Sequence, residues 1–215
     1  MEGRCSRYER CESYTRIGCS GCGFQHFENV LMAHPENDTL MSLGDDYFLE
    51  CSTKRQRPGG RVSLDGPINR LFLRRIPKLK KMQIQALRVK LPIDGEEFSL
   101  EVKCDGALES GGIHIFYEIK GYGDNTNDIL SAIMAAQVLR EVLKYKNSIY
   151  YYIGISSAKG SNKGGLRRGH FLEEGRTKIS PYVKWAESKG FLRFYGIVDI
   201  DVLLDEVKKI VHNHD

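Results

Sequence analysis

FSLEVKCDGALESGGIHIFYEIK, residues Phe98 to Lys120, is the stretch whose reading decides the fold. Phe98, Leu100, Val102 and Cys104 alternate with Ser99, Glu101, Lys103 and Asp105, the two-residue period of a strand with one buried face. Gly111-Gly112 is a two-residue loop that accepts the positive φ angles of a tight hairpin turn. That turn sets Ser110 opposite Ile113, and counting back pairs Asp105 with Glu118 and Lys103 with Lys120. Directly opposed side chains in a hairpin have Cβ atoms roughly 4.5–5.5 Å apart. Two carboxylates at that separation repel, so the arrangement calls for a cation. An oxygen-only, anionic donor set suits a hard divalent ion such as Mg²⁺, which keeps several waters and accepts phosphate oxygens as further ligands. Lys120 lies on the same face as Glu118, where an ammonium can orient a water or neutralise charge developing on a phosphate.

Asp105, a gap of 12 residues, then Glu118-Ile119-Lys120 resembles the core motif of the PD-(D/E)XK nuclease superfamily, an Asp on one strand followed by Glu-x-Lys on the next. Cys104 stands where the motif's name puts proline. The resemblance runs from about Gly23 to Ser156. It implies Asp105 and Glu118 as metal ligands and Lys120 as the water-activating or charge-stabilising lysine. It also implies an acidic residue on the first core helix, for which Glu28 in Gly23-x-x-x-Phe27-Glu28 is the match. A second register, Pro92-Ile93-Asp94 followed by Glu101-Val102-Lys103, spells the same pattern with a gap of six, and a salt-bridged surface hairpin is the plain alternative.

The chain has 215 residues, 41% hydrophobic and 28% charged, enough for one large domain or one domain with a small appendage. No apolar run approaches the roughly 20 residues of a membrane span, and the polar start does not read as a signal peptide, so a cytoplasmic protein is expected. In a reducing compartment its six cysteines are thiols or metal ligands rather than disulfides. The net charge of +4 is unevenly spread. Lys54 to Lys90 holds twelve Lys and Arg against the single acid Asp65, a local +11 that leaves −7 elsewhere. Such a block is the electrostatic footprint of a phosphate-backbone partner. Interleaved Leu71, Phe72, Leu73, Ile76 and Leu79 argue that it is folded.

Residues 1–23 carry Cys5, Cys11, Cys19 and Cys22, and Cys19-Ser-Gly-Cys22-Gly23 looks like a zinc knuckle. A structural Zn²⁺ in a Cys₄ site is the expectation, with free thiols and an iron–sulfur cluster as the other readings. Cys51 and Cys104 read as small core hydrophobes. Phe24 to Ala33 reads as a short helix stopped before Pro35. Pro35 to Asp46 reads as polar and turn-rich, Tyr47 to Ser52 as a short strand, and Leu71 to Val89 as a helical segment broken at Pro77. Asn125 to Asn127 can cap a buried helix over Asp128–Tyr145, followed by a core strand Ile149–Ile155. Ala158 to Arg168 is a Gly-rich basic loop without the spacing of a nucleotide-binding P-loop. Phe191–Val198 gives a last strand and Ile200–Val211 a closing amphipathic helix, with Tyr182 and Trp185 beneath it.

The fold expected is α/β, a mixed central sheet flanked by helices with a restriction-endonuclease-like core over 24–215 and a Cys-rich metal-binding element over 1–23. The resemblance implies a Mg²⁺-dependent endonuclease hydrolysing double-stranded DNA, most like a small type II restriction enzyme, and a homodimer matching a palindromic site. DNA contacts are expected from Arg57, Arg61, Arg74, Arg75, Lys78, Lys80 and Lys81, and from Lys159, Lys163, Arg167 and Arg168. The alternatives are a structure-specific nuclease (a junction resolvase, a repair or a mobile-element enzyme) and a zinc-containing DNA-binding module without catalysis. Neither a membrane nor a nucleotide cofactor is expected.

Overall fold

In chain order the elements are α1 (Phe24–Ala33), α2 (Asp38–Thr53), α3 (Asp65–Arg75), the two-residue strand β1 (Lys80–Lys81), β2 (Arg88–Ile93), β3 (Glu96–Glu101), β4 (Gly106–Ser110), β5 (Ile113–Tyr122), α4 (Thr126–Gln137) prolonged by a π-helical turn (Val138–Val142), β6 (Ser148–Ser156), α5 (Arg168–Leu172), α6 (Ser180–Ser188), β7 (Leu192–Gly196) and, after a 3₁₀ turn (Ile197–Asp199), α7 (Ile200–His212). This is a computed structural model, and it describes residues 7, 24–53, 63–83, 87–93, 95–157, 164–173 and 180–214. The cysteines Cys5, Cys11, Cys19 and Cys22, the cations Arg57, Arg61, Lys159 and Lys163, and the whole element expected over 1–23 except Arg7 lie outside the described residues.

Five strands form a mixed sheet in the order β1-β4-β5-β6-β7, antiparallel as far as β5 and parallel beyond it. Strand alternation sends its side chains into two cores. Ile113, Ile115, Tyr117, Tyr151, Ile153 and Tyr195 pack with residues of α1, α2, α3 and α7. Phe116, Tyr150, Tyr152, Leu192 and Phe194 pack with residues of α4, α5 and α6. Tyr150, Tyr151 and Tyr152 are at most 1% exposed, so the aromatic run is core, as its flanking residues suggested. Each such ring removed from water stabilises the fold by about 1.5–3 kcal/mol. The sheet is thus covered on both sides, and what stays accessible is its edge and the ends of its strands.

The hairpin predicted around Gly111-Gly112 forms in the expected register, Ser110 opposite Ile113, with φ of 55° and 81° at the two glycines. Its first arm is shorter than expected. Glu96–Glu101 pairs instead with Arg88–Ile93 in a separate hairpin turned at Gly95, where φ is 85°. Val102 to Cys104 then crosses to the main sheet, and the ladder stops at Gly106 opposite Tyr117, so neither Asp105 with Glu118 nor Lys103 with Lys120 is a ladder pair. Gly106 is the reason the crossing works. A Cβ there would lie 2.0 Å from the Tyr117 ring, so only glycine lets the chain pass over it.

Further helical structure replaces other expectations. Residues 35–52 are neither turn-rich throughout nor a strand: Asn37 Oδ1 accepts the Leu40 N–H at 2.8 Å and opens α2. The buried residues Leu40, Leu43, Tyr47 and Cys51 then follow helical spacing. The broken helix expected over 71–89 is α3, which starts earlier at Asp65 and ends before Pro77, followed by β1 and β2. Tyr182 and Trp185 lie on α6, 52% and 44% exposed, because Val183 and Ala186 take its inner face. The strands at Ile149–Ile155 and Phe191–Val198, the Asn125 cap and the closing helix α7 match their expectations, whereas α4 with its π-helical turn ends at Val142 rather than Tyr145 and is buried on one face only, with Leu130 and Met134 exposed. Cys51 is buried, and Cys104 packs half-buried against the second core.

Candidate active site

The candidate site lies where β4 leaves the sheet and β5 runs on without it. Asp105 sits in a bend just ahead of β4, its N–H donating to Tyr117 O at 2.9 Å. Its Oδ2 accepts the Ile119 N–H at 2.6 Å, so a side-chain carboxylate replaces the ladder carbonyl that β4 no longer supplies. Glu118 and Lys120 project from β5 on one face. Lys120 Nζ is 2.5 Å from Glu118 Oε1 and 3.9 Å from Asp128 Oδ1, in the first turn of α4. The buried Tyr150 hydroxyl donates to Glu118 Oε2 at 3.2 Å. Both oxygens of Glu118 are therefore held.

The charges at this place act strongly on one another. Burial pushes the Asp105 carboxyl up to about 6, and the neighbouring Asp65 and Glu118 add to the rise against the Ile119 N–H bond and Lys120. Burial alone would lower Lys120, but the hydrogen bond and charge of Glu118, with Asp128 and Asp105, outweigh it and raise the ammonium. Cys104 is pushed up to about 12 by burial and by the same two carboxylates, so it stays a thiol.

Asp65, in the first turn of α3, is a group that reading the sequence missed. Its carboxyl is raised by burial against the Ser63 hydroxyl that donates to it; Glu50 raises it further and Lys120 lowers it. Asp65 therefore shares the field of Asp105 and Lys120 from the start of α3. A signal for it existed: it is the one acid among the twelve cations of the basic block. Glu28 is half-buried on α1. Of the second register, Asp94 lies outside the described residues, and Glu101 and Lys103 are exposed on the far hairpin and the crossing.

The cations differ in how far they are committed. Lys80 and Lys81 stand exposed on the edge strand β1, with Lys78 exposed just ahead of it and Arg167 exposed before α5. Arg75 donates to Thr39 Oγ1 at 3.0 Å, and Arg74 reaches Ser42 Oγ at 3.3 Å and Asp46 Oδ2 at 3.5 Å. Arg70 is bound to the buried Glu50. Arg168 is built into the fold: its guanidinium donates to Glu187 Oε2 at 2.8 Å and lies 4.8 Å from the Tyr195 ring centroid, and its N–H donates to Asp199.

Among the described residues no three His, Cys, Asp or Glu side chains are grouped as a ready metal site. Asp105 and Glu118 offer two carboxylates whose mutual repulsion a divalent ion would relieve, and Mg²⁺ accepts so small a protein share by keeping its waters. The residues present fit that ion. No family model, no curated protein and no solved structure matches this chain. No described helix is long and apolar enough to cross a membrane.

Proposed function

We propose that the chain is a Mg²⁺-dependent endonuclease with a restriction-endonuclease-like core, hydrolysing phosphodiester bonds in double-stranded DNA as a type II restriction enzyme does. The observation that carries this reading is the convergence of Asp105, Glu118 and Lys120 at the open end of the β4–β5 hairpin. The ion, when bound by Asp105 and Glu118, supplies Lewis acidity toward the scissile phosphate and acidifies water. Lys120, kept cationic by Glu118 and Asp128, donates hydrogen bonds to phosphate oxygens as negative charge builds on them. Asp105 is fixed by a backbone N–H and Glu118 by Tyr150, so neither has to be ordered when substrate arrives. Asp65 adds negative charge from α3. Exposed Lys78, Lys80, Lys81 and Arg167 are suited to the phosphate backbone.

A homodimer would set two such sites across a palindrome, and a structural Zn²⁺ on Cys5, Cys11, Cys19 and Cys22 would fold the N-terminal element. Incubating the purified protein with phage and plasmid DNA in Mg²⁺, beside EDTA and Lys120→Ala controls, tests the reading on one gel. Discrete bands that vanish in both controls are expected. DNA left intact with Mg²⁺ while still bound by the protein would sink it in favour of a binding module, and cutting confined to branched DNA would replace restriction by structure-specific cleavage.

A further inference from the structure

We infer that Asp128 is a positioning residue for Lys120: it holds the ammonium at a second position, beside Tyr152, when Glu118 gives up its ion pair to take a divalent cation. The inference rests on the nuclease reading of this site.

Glu118 has two demands on it. In the structure Oε2 takes the Tyr150 hydroxyl and Oε1 is 2.5 Å from Lys120. A cation bound by this carboxylate competes for Oε1 directly with the ammonium. A lysine displaced into a half-buried setting must find other acceptors, because its charge and three N–H donors are costly to leave unpaired. Asp128 Oδ1 is already 3.9 Å from Nζ, close enough for a side-chain torsion to close the gap.

A second observation marks the same place. Tyr152 faces Glu118 across the parallel β5–β6 ladder, and Lys120 is opposite Gly154. The Tyr152 ring is fully buried, and among the described residues its hydroxyl has no hydrogen-bond partner. Native folds rarely leave such a group unused. The carboxylates that act on it are Asp128, Glu118 and Asp124. Of these, Asp124 accepts from Ser157 Oγ at 2.6 Å and is 3.6 Å from His170 Nε2, whereas Asp128 and Glu118 are the two that share Lys120. Asp128 is the acceptor within reach of a displaced ammonium, and the Tyr152 hydroxyl, without a partner among the described residues, lies in the field of the same carboxylate.

The test is a double-mutant cycle read by calorimetric titration of Mn²⁺, with no substrate present, into wild type, Asp128→Asn, Lys120→Met and the double variant. Asp128→Asn is expected to weaken ion binding by about tenfold, because Lys120 then has no second position and stays on Glu118. With Lys120→Met the competitor is gone, so adding Asp128→Asn should change affinity by less than about twofold. Tyr152→Phe, which alters no charge, should weaken binding by about twofold to threefold while leaving Tm unchanged or higher. Asp128→Ser keeps a small polar group at the helix start and should behave like Asp128→Asn, guarding against a folding defect. An equal loss in both Lys120 backgrounds would show that Asp128 acts through its general field and overturn the inference, as would no loss at all. Wild type that takes up no Mn²⁺ would overturn this inference and the metal-dependent nuclease reading together. Uptake without coupling to Lys120 overturns this inference alone.

Discussion

Asp105 and Glu118 were chosen from a spacing, and the structure sets them in different roles. Asp105 completes the backbone pairing of Ile119, while Glu118 is gripped by a lysine and a tyrosine. If the nuclease reading holds, alanine at either position, or at Lys120, should lower Mg²⁺-dependent turnover by roughly 10²–10³-fold, the usual loss on removing one charge-stabilising group, with DNA binding retained. On the same reading, alanine at Glu28 and at Asp65 tests each helical acid in turn: a loss of about tenfold or more in single-turnover cleavage places that acid in the site, and a rate within about twofold of wild type removes it. Another residue makes a prediction about stability. His114 is held below its ordinary value by burial, with Glu109 acting against that, and its Nδ1 is buried without a partner among the described residues. The neutral ring is the form the fold prefers, so its contribution is intact above the ordinary histidine range near 6.5 and fades as pH falls through it. His114 therefore lowers Tm as pH falls from 7.5 to 5.5, against Asp105, whose raised carboxyl takes up a proton over the same range and acts the other way, and His114→Phe, which keeps the packing against Phe116 and Tyr145, should shift the pH slope of Tm toward greater stability at the acid end. An unchanged slope in circular-dichroism melts would remove His114 as its source.

At the scale of elements, the parts legible in the sequence were those fixed locally. The Gly111-Gly112 turn, the Asn125 cap and the alternation of β6 and β7 each depend on neighbours a few residues away. The end of the hairpin arm was not legible, because the pattern over Phe98–Cys104 is equally good for pairing with β2 or with β5, and only the fold decides. Tyr47–Ser52 read as a strand for the same reason: its aromatic and apolar residues are helical only once Leu40 and Leu43 are seen to share their face. Gly106 and Gly112 separate the two kinds of constraint. Alanine at Gly112 meets nothing within 4 Å and should cost only the positive-φ penalty, about 1–2 kcal/mol. At Gly106 the new methyl would enter the Tyr117 ring, and the loss should reach about 4 kcal/mol or more. Urea denaturation gives both numbers, and a Gly106→Ala protein no less stable than Gly112→Ala would contradict the crossing described here.

Across the whole molecule, charge that looks uniform in the sequence divides into structural and available cations. Reading composition alone, Arg168 and Lys80 are equal candidates for DNA. In the fold, Arg168 is 30% exposed at its side chain and engaged by Glu187, the Tyr195 ring and the Phe194 carbonyl, so its charge is largely neutralised where it stands. Lys80 and Lys81 are exposed on an edge strand beside β4, on the hairpin that delivers Asp105. If the nuclease reading holds, phosphate contacts from these lysines release counterions, and each one lost should lower the slope of log affinity against log salt by about 1. Lys80→Ala with Lys81→Ala should therefore weaken DNA binding evenly across sequences and flatten its salt dependence by about 2, with Tm nearly unchanged. Arg168→Ala should do the opposite, lowering Tm by several degrees through the unpaired, largely buried Glu187 while leaving the salt slope of the folded protein as it was. Fluorescence anisotropy on a short duplex between 50 and 200 mM salt, with a thermal melt of each variant, separates the two. A steepened or unchanged slope for the lysine pair would mean that the DNA-facing surface lies elsewhere on the molecule.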